Sequence, residues 1–269
     1  MKVFIESEVL PNKTGGLLIQ GTFRAFAFPR HMHDGYSIGL VKSGINRFDC
    51  GGTSWAARAD QLCVMNPQQI HSGEADSEGW TYTNLFLAPE ALNHALGKEP
   101  NSSQLWFTQH VFSDQWAIAR FRALAECSVP GAESMAAECE YALLLARLGR
   151  IATGVSSEKK TSTISMLRVR DFLDSVYDRT VTLAEVAQVG DMNTYHLVRS
   201  FTEEFGISPY AYHLNRRLLR AQRMIESGTF VVEAAFATGF TDQAHFTRHF
   251  RRFLGITPGR ISKFFNQNR

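Results

Sequence analysis

Histidines and arginines are the residues here whose types and spacing could do chemistry. His31 and His33 stand two apart, and alternate residues of a strand share a face, so both imidazoles can point the same way. His71 can join them from a neighbouring strand. Three imidazoles together could hold Zn²⁺, Fe²⁺ or Mn²⁺, line a pocket for a small organic molecule, or simply hydrogen-bond to their surroundings. Far along the chain, Arg199 and Arg248 each follow an apolar residue on a short helical pattern. A guanidinium offers a planar fork of donors that matches phosphate oxygens and the O6 and N7 edge of guanine. The alternative is an arginine that locks a helix turn by pairing with a carboxylate.

The elements that position these arginines are repeated. Leu183, Ala187, His196, Leu197, Arg199, Phe201, Gly206 and Pro209 recur as Val231, Ala235, His245, Phe246, Arg248, Phe250, Gly255 and Pro258. From histidine to proline the offset is 245 − 196 = 49, and in the preceding apolar helix it is 231 − 183 = 48. One residue has been gained in the turn. Each copy reads as a short helix, a turn, a second helix and a glycine stop, with a small alanine where the two helices cross. Leu183, Val186 and Ala187 make one apolar stripe, and Asn193 or Thr194 can cap the next helix. There Leu197, Phe201 and Phe205 face inward, leaving Tyr195, Val198, Arg199 and Thr202 outward. In the second copy Phe246, Phe250 and Phe253 face inward. Gln243, Ala244, His245, Thr247, Arg248, Arg251 and Arg252 are left to solvent. Gly206 and Gly255 stop the helices, and Pro209 and Pro258 cannot continue them.

A helix from about Tyr210 to Ser227 joins the copies. Leu214, Leu218, Ala221 and Ile225 line one face, and Arg216, Arg220 and Arg223 another with Arg217 beside them. About seventeen helical residues span roughly 26 Å. With the width of the flanking helices, the two outer helices can sit about 34 Å apart, one turn of duplex DNA.

This ensemble resembles the C-terminal domain of the AraC/XylS family of bacterial transcription regulators. The resemblance covers roughly residues 162–265 and is carried above all by Thr241-Asp242-Gln243-Ala244-His245-Phe246-Thr247-Arg248-His249-Phe250-Arg251-Arg252-Phe253-Leu254-Gly255-Ile256-Thr257-Pro258. Two departures are Gly190-Asp191-Met192 in the first turn, where the second copy has Phe240, and the apolar Val198 where family members often carry a polar base-reader. The resemblance implies two helix-turn-helix units. Thr194, Tyr195, Val198, Arg199, Gln243, Ala244, His245, Thr247, Arg248, Arg251 and Arg252 would face double-stranded promoter DNA. Arg216 and Arg220 would add phosphate contacts.

Charge and composition agree. The net charge of +2 divides unevenly. Residues 1–160 carry 14 Lys+Arg against 16 Asp+Glu, and residues 161–269 carry 14 against 10. The basic excess coincides with the helix pairs, as phosphate contact requires. At 44% hydrophobic and 20% charged, with 8 prolines, the chain reads as globular throughout. It has no apolar run of membrane-spanning length and no signal-peptide pattern at its start, so no membrane partner is expected and the location is expected to be cytoplasmic. Cys50, Cys63, Cys127 and Cys139 lack CxxC spacing and are expected to be reduced core residues. Residues 153–162, Thr-Gly-Val-Ser-Ser-Glu-Lys-Lys-Thr-Ser, read as the linker between two domains.

Before that linker the period changes. Leu17–Gln20, Phe23–Phe28, Tyr36–Lys42, Ile45–Cys50, Gln61–Asn66 and Trp80–Leu87 are short strand-like runs, the pattern of a sandwich or barrel. Asp114 to Glu126 and about Ala132 to Thr153 read as helices. On the latter Leu144, Leu148 and Ile151 widen the apolar arc, so one side is expected to bury within the domain and the other against a second copy of the chain. His31-Met32-His33 and Asn66-Pro67-Gln68-Gln69-Ile70-His71 resemble the two motifs of a cupin. The first half is therefore similar to the cupin-type sensor that often precedes the AraC/XylS DNA-binding domain. The enzymatic cupin pattern has a glutamate four or five residues after the second histidine. Ser37 and Ile38 stand here, which argues against metal and against catalysis. The favoured reading is a small-ligand pocket with His31, His33 and His71 beside aromatic walls from Tyr36, Phe48, Trp80 and Tyr82.

The sequence thus predicts an α+β two-domain chain without cofactor. Residues 1–152 form a cupin-like ligand-sensing and dimerisation β-barrel with helices. Residues 163–269 form an all-α DNA-binding domain. Expected partners are promoter DNA, a small-molecule effector, a second copy, and RNA polymerase if the protein activates transcription. Two alternatives remain open: a regulator whose barrel only dimerises, and a metal-dependent enzyme fused to a DNA-binding module.

Overall fold

The computed structural model describes residues 4–10, 16–75, 77–99, 102–128, 134–152, 154–155 and 163–267. Most of residues 153–162 lie outside them. The chain divides into two compact units, residues 1–28 and 32–157 in the first and residues 158–269 in the second, with the short stretch Pro29–His31 grouped with the second.

The first unit is built from strands β1 (Phe4–Leu10), β2 (Leu17–Arg24), β3 (Phe26–His31), β4 (Tyr36–Cys50), β5 (Thr53–Arg58), β6 (Leu62–Met65), β7 (His71–Ala75) and β8 (Trp80–Leu87), then helix α1 (Ala91–Ala95), short strands β9 (Leu105–Trp106) and β10 (Val111–Phe112), helices α2 (Gln115–Cys127) and α3 (Ser134–Ile151), and strand β11 (Gly154–Val155). The main sheet runs β1-β2-β8-β4-β6-β10, with β5 and β7 paired to β4 and β3 paired to β7. Strand β4 organises it. Its first half pairs with β8 and β6, its second half with β5 and β7, and the register shifts between Val41 and Ser43. The two strands expected on either side of Ser43-Gly44 are therefore one. Gly44 absorbs the bend at φ +75, and a Cβ there would meet the Gly79 carbonyl oxygen at 2.1 Å. At Ala25 the expected Phe23–Phe28 strand breaks instead, because φ turns to +50. Residues 154–155 pair with β9, so the predicted linker begins as part of the first unit.

Alternation sorts the sheet's side chains. Tyr36, Ile38, Leu40, Leu62, Val64, Leu85 and Leu87 form one core with Phe121 and Leu124 of α2 and Leu144, Leu145 and Leu148 of α3. The assignment of Leu144 and Leu148 to a dimer surface is thereby corrected. Both are 0% exposed, packed between the sheet and α2. Ile151 is half-buried against the same core. The outward side of α3 carries Met135, Ala136, Cys139, Ala142 and Leu143 instead. Cys139 is accordingly exposed rather than a core residue, although all four thiols are free as expected.

The second unit contains helices α4 (Ile164–Ser175), α5 (Leu183–Val189), α6 (Thr194–Phe205), α7 (Pro209–Glu226), α8 (Val231–Ala237), α9 (Gln243–Leu254) and α10 (Pro258–Gln267). The α5–α6 turn is residues 190–193 and the α8–α9 turn residues 238–242, so the extra residue does fall in the turn. Asn193 caps α6 and Asp242 caps α9, each accepting from a backbone N–H three residues on. Gly206 and Gly255 end them in the left-handed conformation, at φ +73 and +69. Leu197, Phe201, Phe246 and Phe250 are all 0% exposed, so each helix commits one face to the core. Among the described residues no helix is long and apolar enough to cross a membrane.

Candidate functional site

The faces opposite those buried stripes form the candidate DNA interface. On α6, Thr194 and Arg199 are exposed and Val198 is half-buried, while the side chain of Tyr195 lies outside those described. On α9, Gln243, Ala244, Arg248, Arg251 and Arg252 are exposed, and His245 and Thr247 are half-buried. The Asn193 and Asp242 carboxamide and carboxylate accept the His196 and His245 amides at 2.8 and 2.6 Å. These caps fix where each helix begins, and so which residues lead it.

The two equivalent arginines differ. Arg199 Nε donates to Glu203 Oε1 at 2.8 Å, the helix-locking pair that the sequence left open as an alternative. That contact is fully exposed, where such pairs contribute little. Among the described residues no ion pair holds Arg248, and its fork is available for another ligand. His245 turns partly away from the outer face. Its Nε2 lies 2.8 Å from Nε2 of His249, and its ring lies against Phe240. Burial, then the nearby His245 and Arg252, lowers the His249 pKa below the usual imidazole value.

The arginines of α7 also divide. Arg216 Nε contacts Asp174 Oδ1 of α4 at 2.8 Å, so its role is at least partly to tie α7 to α4 rather than to meet phosphate. Tyr212 donates to the same carboxylate oxygen at 3.0 Å. Arg217, 8% exposed, donates from Nε to the Thr238 carbonyl at 2.6 Å and stacks over Phe240 at 4.2 Å. It is a positioning residue for the second helix pair. Burial lowers its pKa, although it stays a cation. Arg220 is exposed and lies over the Tyr177 ring.

The three histidines singled out from the sequence, His31, His33 and His71, do come together. All three are buried, and their ligand-capable nitrogens lie within 4.8 Å of one another. His31 ends β3, His71 opens β7, and β3 pairs with β7. The second sequence motif holds the arrangement. Asn66, 0% exposed, exchanges hydrogen bonds with the backbone of Phe107 at 2.8 and 2.9 Å. The Gln68 N–H then donates to the His33 carbonyl at 2.7 Å, with Gln68 itself at φ +58. Nδ1 of His31 donates to Pro29 O at 2.7 Å, and Nδ1 of His71 donates to Gln69 O at 2.9 Å. Burial, with His71 alongside, lowers the His33 pKa well below the usual value, so its ring is neutral at pH 7.

The aromatic residues assigned to the same pocket separate. Tyr36 is on the other face of the sheet. Its hydroxyl donates to Leu105 O at 2.6 Å and its ring meets Phe107 in the helix-side core, because parity groups it with Ile38 and Leu40. Phe48 packs with Val41, Cys50, Ala57, Cys63 and Met65. Trp80 and Tyr82 stand edge to face at 4.5 Å in a cluster with Phe23, Phe26 and Phe28. Those three phenylalanines were missed, and the alternation Phe26-Ala27-Phe28 was the available signal. Among the described residues the buried indole N–H of Trp80 has no acceptor.

Comparison with known proteins matches residues 14–144 to an AraC-like ligand binding domain and residues 186–263 to a helix-turn-helix domain. The uncharacterized HTH-type transcriptional regulator YbfI of Bacillus subtilis is 30% identical over 222 residues, 81% of each chain. The HTH-type transcriptional activator RhaS of Klebsiella pneumoniae is 25% identical over 244 residues, 86% of each chain. Among solved structures, an apo form of ToxT from Vibrio cholerae shares the two-domain fold. Its TM-score is 0.57 at 13% identity, over 95% of this chain and 99% of that one. A ligand-binding domain followed by paired, capped recognition helices places the chain in the AraC family: it is a DNA-binding transcription regulator.

Proposed function

We propose that a small organic effector binding in the sheet unit controls how the two recognition helices engage a promoter. The observation that carries the DNA half is the matched pair α6 and α9, each capped, each with one buried face and one outer face, bearing Arg199 on α6 and Arg248, Arg251 and Arg252 on α9. In this reading Thr194, Tyr195, Val198, Arg199 and the exposed residues of α9 enter two successive major grooves. Arg220 contacts phosphate. The effector half rests on the aromatic cluster around Trp80. Rings of Phe23, Phe28 and Tyr82 pack around the Trp80 indole, whose N–H has no acceptor among the described residues, which suits a largely apolar molecule with one hydrogen-bond acceptor. Dimerisation would use the outer side of α3, with Met135 70% and Leu143 43% exposed, joined by Trp116 of α2 at 46%. The protein would work in the cytoplasm, contacting RNA polymerase where it activates.

The test uses the full chain on DNA from its own promoter. Affinity should fall steeply between low and moderate salt, as displacement of several phosphate counterions requires, and an effector should raise the melting temperature. Salt-insensitive binding, or affinity equal on scrambled DNA, would overturn the reading of the helices. If no apolar acceptor-bearing compound shifts the Trp80 emission or the melting temperature, the effector reading fails.

A further inference from the structure

We propose that His245 and His249 of α9 form a proton-dependent phosphate contact, an imidazole pair that takes one proton from solvent as duplex DNA binds. The two residues stand one helical turn apart, both half-buried, in the row between the outer Arg248 and Arg252 and the buried Phe246, Phe250 and Phe253. On the proposed seating of α9 in a major groove, on which this contact rests, the flanks of the helix face the phosphate strands that wall the groove. The pair belongs to the second copy alone. At the 49-residue offset His249 corresponds to Ser200, so His196 on α6 has no imidazole one turn on.

The geometry sets the proton count. The two Nε2 atoms lie 2.8 Å apart, with the rings nearly perpendicular at 87°. One hydrogen fits between them, so one ring donates and the other accepts. The donating ring keeps a lone pair on Nδ1, where a proton can add without breaking the bond between the rings. A second proton would set N–H against N–H and part them. In the free protein even the first charge is disfavoured. Burial, then His245, Arg252 and Arg248 of α9 and Arg217 of α7, all lower the His249 pKa. Of the other elements against α9, α10 brings Arg260 and Lys263, and α8 brings the exposed Glu233. The Asp242 carboxylate is engaged at the helix cap, and the Phe240 ring against His245 is uncharged. A phosphodiester brought to this flank reverses the balance. It offsets the arginines and accepts a charge-assisted hydrogen bond from Nδ1–H of the protonated ring.

The full chain is titrated against its own promoter duplex by fluorescence anisotropy at fixed salt, from about pH 8 to about pH 6, the range in which imidazole titrates. Circular dichroism confirms the fold at each pH. Between the free and the bound pKa, affinity should rise as pH falls, by up to about tenfold per unit for one proton, and level off on either side. Calorimetry in two buffers of different ionisation heat should count that proton directly in the native chain. His249→Gln keeps a hydrogen-bonding partner for His245 but cannot take the charge, so it should flatten the slope. His196→Gln, at the equivalent site of the first copy, should keep the native slope. If His249→Gln does not fold, His245→Gln and the native calorimetry decide. Salt-sensitive binding without proton uptake, a native slope in a folded His249→Gln chain, or loss of the slope in His196→Gln would overturn the contact and leave the groove reading standing. Absence of salt-sensitive binding at every pH would overturn the groove reading and the contact with it.

Discussion

Replacing Arg217 by methionine separates two roles that α7 arginines could play. The substitution keeps the length of the stem and removes the donors and the charge. Two contacts are lost: the 2.6 Å hydrogen bond from a cation to the Thr238 carbonyl, and the guanidinium stacked 4.2 Å over Phe240. A hydrogen bond from a charged donor contributes about 1.5–3 kcal/mol, and a desolvated cation over a ring about 0.5–2 kcal/mol. The expected loss is therefore about 2–5 kcal/mol, large against the roughly 5–15 kcal/mol that holds a domain together. The four tryptophans, Trp55, Trp80, Trp106 and Trp116, all precede residue 158. Urea unfolding of the full chain can thus be followed twice, by tryptophan emission for the sheet unit and by far-ultraviolet circular dichroism weighted to the helical unit. Arg217→Met should lower the helical midpoint and leave the tryptophan midpoint in place. Arg220→Ala should move neither, and instead weaken all duplexes alike while reducing the salt slope by about one. A helical midpoint equivalent to within about 0.5 kcal/mol of the native chain, the range of an ordinary surface change, would refute the assignment.

Three further outcomes are expected. Arg248→Ala should narrow the affinity gap between operator and scrambled DNA by about 1–3 kcal/mol, whereas Arg220→Ala should preserve that gap; an equal loss on both DNAs for Arg248→Ala contradicts base contact. Leu148→Lys should unfold the sheet unit, since a buried unpaired charge costs several kcal/mol, while Leu143→Lys should leave it folded and shift sedimentation towards monomer; a folded Leu148→Lys chain would contradict the packing. The helical unit should lose stability as pH falls below about 6.5. Burial lowers the pKa of His213, whose ring meets the Val176 carbonyl at 3.1 Å, so the unfolded chain takes up a proton there before the folded one does. Stability is full above the unfolded pKa and declines towards the lower folded one. A His213→Gln chain should show a flatter profile from pH 7 to 5, and an unchanged slope would contradict this.

The helical unit was legible because each of its signals is local. A cap, an apolar stripe of period 3.6 and a glycine stop lie within fifteen residues of one another, and the repeat states them twice. The sheet unit depends on partners far along the chain. β7, His-Ser-Gly-Glu-Ala, has no apolar run, and β5, Thr-Ser-Trp-Ala-Ala-Arg, has little; both are strands because the second half of β4 supplies their hydrogen bonds. β1 interleaves glutamates with apolar residues and was passed over for the same reason. Side-chain spacing foresaw that the three histidines meet, but β3 ends at His31, so His33 comes in from the segment after the strand and not by strand parity. Parity placed Tyr36 opposite them, but only once its strand's register against Leu87 was known. For α3, a wide apolar arc signals that two sides are occupied and leaves undecided which is inner. Leu144 and Leu148 proved to be inner.

Consecutive residues of α7 reach in different directions, Arg216 gripping Asp174 of α4 and Arg217 the turn before α9. At Gly239, in that turn, a Cβ would press within 2.9 Å of the Asp178 carbonyl. The connecting helix is thus gripped near its middle, by α4 through one residue and by the second turn through the next, and as a ruler it would set angle as well as length. Each base pair rotates a duplex by roughly 34–36°, one turn taking about 10–10.5 base pairs. An operator that gained a single base pair between its two sub-sites would swing one groove away from its helix by that angle, with no hinge in α7 to follow it. Lengthening the gap by a full turn would restore the angle and exceed the reach. If both recognition helices read DNA as proposed, the promoter could drift in many bases that are never touched, while its internal spacing would be held by the helix that these two arginines anchor.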